Sequence, residues 1–445
     1  MNLRTSVIAR LLIMGLILIG LLIPLTMVQS VVSERAARRD SVAEEMSGTW
    51  GGAQTIAGPV LIVPYRCSIT DNDGRTRQIT GRATFLPEAL DVHGVLEPEV
   101  RKRTLFKVVV YKAHLKISGR FSRPDLSSIT RTTVEPLWSD AVVSIGIADP
   151  RGIARRAALK WNGVDIPLEP GAIDTGLFPF GLHVPVDLTN TLAGSSIPFA
   201  VDLDVNGNRD LRILPVGSET SMQLTSSWPH PSFVGGPLPD PRTVNADGFT
   251  AVWRVPYFGR GFSRAWSDAG LDRDKMKNQT DASAFGVSLL QPVDIYQQAE
   301  RAVKYASLFI VMTFVVFFLF EVVRTRLLHP VQYVFIGFAM CIFYLLLVSI
   351  SEHVRFDAAY GGAATVTILL IASYSVFVLG GFWEGALIGT ALGAVYGFLY
   401  LLLRLEDYAL LAGSIGLFAM LALVMLLTRR VNWYDLKLGA ADPSA

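Results

Sequence analysis

The sequence predicts a mixed membrane protein. Six transmembrane α-helices, one N-terminal and five C-terminal, flank a large outward-facing antiparallel β-sandwich-like domain inserted between the first and the second. Three observations predict it. Of 445 residues, 51% are hydrophobic and 18% charged, against about 25% charged in ordinary soluble domains. The apolar residues gather in long charge-free runs near the two ends of the chain. The polar middle alternates with period two, the pattern of half-buried strands. This composition excludes a disordered chain, and a formal net charge of +2 implies no nucleic-acid partner.

Leu11–Ser33 contains no charged residue and is long enough to cross a hydrocarbon core of about 30 Å. It exceeds the roughly 7–15 residues of a signal-peptide core and lacks a good cleavage pattern, so a retained anchor is expected. Glu34–Met46, rich in Ala, Arg and Glu, continues it as a helix. Strands follow. Val109, Tyr111, Ala113, Leu115 and Ile117 alternate with Lys112, His114 and Lys116. Phe199–Val205 alternates likewise and runs through Asn206-Gly207 into Leu211 and Ile213, which predicts a hairpin, because both turn residues tolerate positive φ. Asp71–Gly74 and Asp247-Gly248 are similar turn signals, and prolines punctuate strand ends and edges. Val293–Lys304 reads as a helix leading into the second span. Tyr305–Phe320, Val331–Ile350, Ala358–Trp383, Gly385–Leu403 and Tyr408–Thr428 are each free of Asp, Glu, Lys and Arg. The division is an anchor over 1–33, a β-rich domain over 34–300, a five-helix bundle over 301–430 and a short tail over 431–445.

Loop charge orients these elements. Arg4 and Arg10 precede the first span, Arg324 and Arg326 follow the second, and Arg429, Arg430 and Lys437 follow the sixth. The positive-inside rule then puts both termini in the cytoplasm and 34–300 outside. Arg35, Arg38 and Arg39 run against it, but they begin a long translocated segment, where the rule is weak.

No catalytic, cofactor or metal site is expected. The six histidines show no i,i+2 to i,i+4 pair, and Cys67 and Cys341 stand far apart, so neither a zinc site nor a disulfide is suggested. Phosphate-loop, dinucleotide and nucleophile-elbow motifs are missing. Four features remain. Gly385, Gly389, Gly393 and Gly397 form a ladder on one helix face, suited to close packing within the chain or, alternatively, to homo-oligomerisation. Glu321, Glu352 and His353 stand at span ends, expected at the interfaces beside Arg324 and Arg326 or Arg355. Trp228, His230 and Phe233 form a proline-fixed loop, read as a structural turn or a recognition loop. Trp433 and Tyr434 beside Arg429 and Arg430 read as interface anchors.

These residues carry a resemblance. The chain resembles the CreD family, the cell envelope integrity proteins of the bacterial inner membrane, over nearly its whole length. The shared stretches include Val32–Arg35, Gly58–Pro64, Asp149–Ile153, the octet Ser226–Phe233 and Arg301–Ala306. They continue through Glu321, Leu328–Tyr333, Phe343–Leu347, Ser351–His353 and Asn432–Tyr434. The resemblance implies an inner-membrane protein with a periplasmic domain, tied to envelope integrity and to a two-component stress response, with no established catalytic residue or ligand. The leading expectation is therefore a non-enzymatic protein. Its β-domain senses, scaffolds or binds an envelope protein, lipid or glycan above the lipid bilayer. The alternatives are a transporter or flippase using the helix bundle, and a hydrolase built around His230.

Overall fold

The structure is a computed structural model. It describes residues 7–429 except 71–75, 104–105, 130–133, 172, 174, 190–195, 270, 290–294, 325–327 and 406–407. The features expected at Arg4, Asp71–Gly74, Arg326, Arg430, Asn432–Tyr434 and Lys437 lie outside the described residues. The chain forms two compact units, Met1–Asp40 with Val293–Ala445, and Ser41–Pro292.

The first unit is helical. Helix α1 (Val7–Trp50) runs 44 residues, about 66 Å at 1.5 Å per residue, and includes the expected continuation over Glu34–Met46. Within the unit it buries a stripe of Met14, Leu21, Leu25, Val28 and Val32. After α2 (Arg273–Ser283), which belongs to the second unit, come α3 (Ile295–Lys304) and α4 (Ala306–Arg324), separated at Tyr305. Helices α5 (Pro330–Ser351), α6 (Phe356–Leu379), α7 (Phe382–Arg404) and α8 (Ala409–Thr428) follow. Among the described residues six helices are long and apolar enough to cross a membrane, one N-terminal and five C-terminal. Ala299, Ala302 and Val303 of α3 are buried in the bundle core, which is why the compact unit starts before residue 300. Phe309, Phe343, Tyr344, Leu392 and Leu399 are its innermost side chains. Helix α8 buries no residue.

The second unit is a sandwich of two sheets. Its long early strands are β1 (Gln54–Thr70), β2 (Thr76–Phe85), β3 (Ala89–Arg103) and β4 (Phe106–Ser122). Shorter ones follow: β5 (Val134–Pro136), β6 (Ala141–Ile147), β7 (Ala158–Trp161), β8 (Val164–Pro167) and β9 (Glu169–Pro170). Then come β10 (Gly181–Val186), β11 (Ser196–Asn208), β12 (Asp210–Leu214), β13 (Glu219–Ser226) and β14 (Pro231–Val234). The last are β15 (Arg242–Asn245), β16 (Gly248–Pro256), β17 (Ala265–Ser267) and β18 (Phe285–Leu289). One sheet is ordered β14-β18-β12-β1-β6-β10-β9, with β2 and β5 paired to β1 and β17 paired to β2. The other is ordered β15-β16-β13-β3-β4-β11-β7-β8. Pairing is antiparallel except for β1 with β12 and β13 with β3, so a mixed element enters a mainly antiparallel fold.

The alternation on β4 is as expected: Tyr111, Ala113, Leu115 and Ile117 are buried between the sheets. Asp247 lies in a two-residue hairpin turn, with Asn245 paired to Gly248. The hairpin at Asn206-Gly207 is a correction. Strand β11 continues through both residues to Asn208, and β12 belongs to the other sheet. The left-handed residue is Arg209, at φ 56°, where the chain crosses between sheets. Gly207 serves close approach instead: a Cβ there would collide with the Tyr111 ring.

Candidate functional site

Strand alternation puts one set of side chains of the eight-stranded sheet into the core and leaves the other set on an open face. Register turns the open set into rows across β13, β3, β4 and β11. Gln223, His93, Lys116 and Asp202 stand side by side, and so do Thr225, Val95, His114 and Asp204. Glu97, Lys112 and Asn206 form a third row. The first two rows line a groove of about 480 Å³. His114 Nδ1 lies 2.6 Å from Asp204 Oδ1, its Nε2 lies 3.8 Å from Glu97, and Arg155 Nε lies 3.5 Å from Asp204 Oδ2. Lys116, His114 and Lys112 lie along β4 beside Asp202 and Asp204 on β11, so the face offers donors and acceptors to a polar ligand. Its lining includes no serine or cysteine to act as a nucleophile, and among the described residues no histidine, cysteine or carboxylate group could hold a metal. The sequence shows these residues as the wet face of separate strands. It does not show that they adjoin, because register is decided by tertiary pairing.

At one end of the bundle, Glu321 is 1% exposed. Arg10 Nη1 donates to its Oε2 at 3.1 Å, and the Leu328 N–H donates to its Oε1 at 2.7 Å. Arg10 of α1 is thus a partner of Glu321 that the sequence did not suggest; Arg326 lies outside the described residues. The stretch Leu328–Tyr333 is built around this carboxylate. His329 caps α5, its Nδ1 accepting from Val331 N–H while Gln332 accepts from His329 N–H, and Pro330 sits in the first turn, where its missing N–H costs nothing. Tyr333 is within electrostatic reach of Glu321, although its buried hydroxyl makes no hydrogen bond of ordinary geometry.

The Ser351–His353 end brings in partners from other helices. Glu352 accepts from the Tyr296 hydroxyl at 3.0 Å and lies 3.9 Å from Arg35 Nε, so its partners are on α3 and α1. Burial, then the Glu352 carboxylate, pushes the Tyr296 phenol up to about 12, which keeps it a donor. Arg355 instead lies 3.7 Å from Asp357, and His353 is exposed.

The glycine ladder divides. Cβ atoms at Gly385 and Gly389 would meet Val376 and Ala372 of α6, while Gly393 and Gly397 face open space. Gly337, outside the ladder, receives Leu21 of α1; the sequence offered no signal for it, since it is a lone glycine in an apolar run. In the octet, Trp228 and Phe233 pack against the sandwich core, Phe233 edge-on to Phe249 at 5.8 Å and Trp253 at 5.7 Å. His230 is exposed. Phe233→Ala is expected to cost about 2–3 kcal/mol, less than a fully buried ring, and His230→Ala less than about 0.5 kcal/mol. Thermal unfolding of the detergent-solubilised chain checks both; equal effects would contradict this assignment.

The comparisons with known proteins agree in kind. The family model described as "Inner membrane protein CreD" matches residues 6–434. The inner membrane protein CreD of Escherichia coli (strain K12) is 33% identical over 426 residues, covering 94% of this chain and 92% of that protein.

Proposed function

The chain belongs to the CreD family of inner membrane proteins, and from that premise we propose a non-enzymatic role in envelope integrity and the envelope stress response. Both termini are cytoplasmic in this reading, and the 41–292 unit is periplasmic, where it binds a polar envelope component: a protein, a lipid headgroup or a glycan. The observation that carries it is the open face of the eight-stranded sheet, where basic groups on β4 adjoin carboxylates on β11 around His93, His114, Lys116 and Asp204. Orientation rests on the arginines flanking the spans. A transporter or flippase has less support, because Glu321 and Glu352 are both bonded within the bundle. The open half of the ladder, Gly393 and Gly397, is the part available to a second copy of the chain.

In-cell photo-crosslinking tests the reading. A probe at Val95, 49% exposed in the groove, is expected to capture an envelope component that is lost on combining Lys116→Ala with Asp204→Ala. Equal capture from a probe at Val164, on the edge strand β8, would refute a role for this face. Reporter fusions after Asp268 are expected to be active outside and those after Arg326 inside; the opposite result reverses the topology.

A further inference from the structure

The loop after β16 carries an inward-pointing arginine. Pro256, Tyr257, Phe258, Gly259 and Gly261 are exposed, whereas Arg260 is 7% exposed. Its Nη1 donates to the carbonyl oxygens of Val216 and Gly217, at 2.5 and 3.2 Å. Its Nε and Nη2 are buried and make no hydrogen bond of ordinary geometry, with the Tyr257 hydroxyl the polar side-chain group within reach. Among the described residues no carboxylate pairs with it. The charge is faced instead by the Tyr257 and Phe262 rings, 4.7 and 5.6 Å away, and Arg264 adds a second positive charge nearby. Burial pulls the guanidinium down to about 10, so it remains charged at neutral pH.

A buried cation with two unmade N–H bonds is costly, and such orphans are rare in native structures. The orphaned pair has a definite shape. Nε–H and Nη2–H are parallel donors on one edge of the guanidinium, matched to two oxygens of a carboxylate or phosphate. The neighbouring Tyr257–Gly259 turn is exposed. Phe258 in that turn is 93% exposed, with the Tyr257 ring as its aromatic neighbour. The turn is closed by the Arg260 N–H donating to the Tyr257 carbonyl at 3.3 Å.

We propose that Arg260 is an oxyanion-binding site whose Nε–Nη2 edge takes a carboxylate or phosphate group, with the Tyr257–Gly259 turn moving to admit it.

The test uses the full chain in detergent micelles, with sodium phosphate or sodium acetate compared against chloride at matched ionic strength. At about ten times the dissociation constant, the unfolding midpoint is expected to rise by roughly 3–5 °C. Amide exchange over residues 256–262 is expected to quicken as the turn moves. A response to phosphate alone assigns the site to phosphate esters, and one to acetate alone assigns it to carboxylates. Arg260→Lys keeps the charge without the fork and is expected to need at least tenfold more anion. Arg260→Met is expected to abolish the response and to raise the midpoint in chloride. The proposal is overturned if the wild type responds to neither anion at 100 mM (a concentration of order one hundred times a millimolar constant), or if Arg260→Met responds equally. Should Arg260→Met not fold, the lysine variant and the wild-type exchange data decide.

Discussion

Asp149→Ala is expected to destabilise the 41–292 unit by about 3 kcal/mol. Asp149 caps the short turn Pro150–Gly152, accepting from Arg151 N–H at 3.1 Å. Its Oδ2 also accepts from Gly52 N–H at 2.8 Å, and Arg151 binds both oxygens at 2.9 and 2.8 Å. Gln54 closes the knot: its Nε2 donates to the Asp149 and Asn206 carbonyls at 3.0 and 3.1 Å, and its Oε1 accepts from Asp149 N–H at 3.3 Å. Losing a cap costs about 1 kcal/mol, and a bond to a charged acceptor about 1.5–3 kcal/mol. The Arg151 pair is discounted, because that side chain is 60% exposed and solvent screens it. At roughly 2–4 °C per kcal/mol in a unit of this size, the midpoint falls by about 6–12 °C. The Arg151 guanidinium, with the Gly52 and Arg151 N–H groups, holds the Asp149 carboxyl below its usual range despite burial. A depressed native value stabilises the fold above the unfolded value, near 3.9, and this stabilisation is lost as pH falls through the native value. The gap between wild type and variant is therefore expected to narrow below about pH 4. Calorimetric midpoints within 2 °C of each other at pH 7, a difference of under about 1 kcal/mol, would contradict the assignment.

Arg10→Met is expected to destabilise the helical unit by about 3–5 kcal/mol, because it strands a buried carboxylate. Glu321 would keep the Leu328 N–H but lose the guanidinium. The reverse change is milder. Glu321→Gln retains an acceptor for Leu328, and Arg10, whose side chain is 16% exposed, can extend its head to water, so about 1 kcal/mol is expected. Replacing both partners by Met is expected to cost less than Arg10→Met alone, since no charge is left unpaired. Denaturation in mixed micelles measures all three. Equal losses for Arg10→Met and Glu321→Gln would mean that the pair is not a buried one.

The contrast between Arg10 and Asn206 shows what the sequence carried. Charge-free runs and period-two alternation are local, and they located the helices and strands such as β4 without help from the fold. Asn206-Gly207 is local too, yet it misled: its glycine answers to the Tyr111 ring from a neighbouring strand, not to a turn. Arg10 and Glu321 stand 311 positions apart, so no spacing rule joins them. The rows around His114 depend on register in the same way, and Arg260 looks like one more charge in an exposed loop. The family-like stretches Asp149–Ile153 and Leu328–Tyr333 were visible as words. Their work, a knot at the start of the sandwich and a cap around a buried carboxylate, needed contacts from elsewhere in the chain.

The strand order has one more consequence. The two sheets end at β14, β9, β15 and β8. Strand β14 begins at Pro231, β9 ends at Pro170, β8 ends at Pro167, and Pro241 immediately precedes β15. Proline offers no N–H to an incoming strand, and prolines on borders discourage one sheet from growing onto another. The sandwich is thus guarded against edge-to-edge growth at these four borders, while β17, paired with β2, is an edge without a proline.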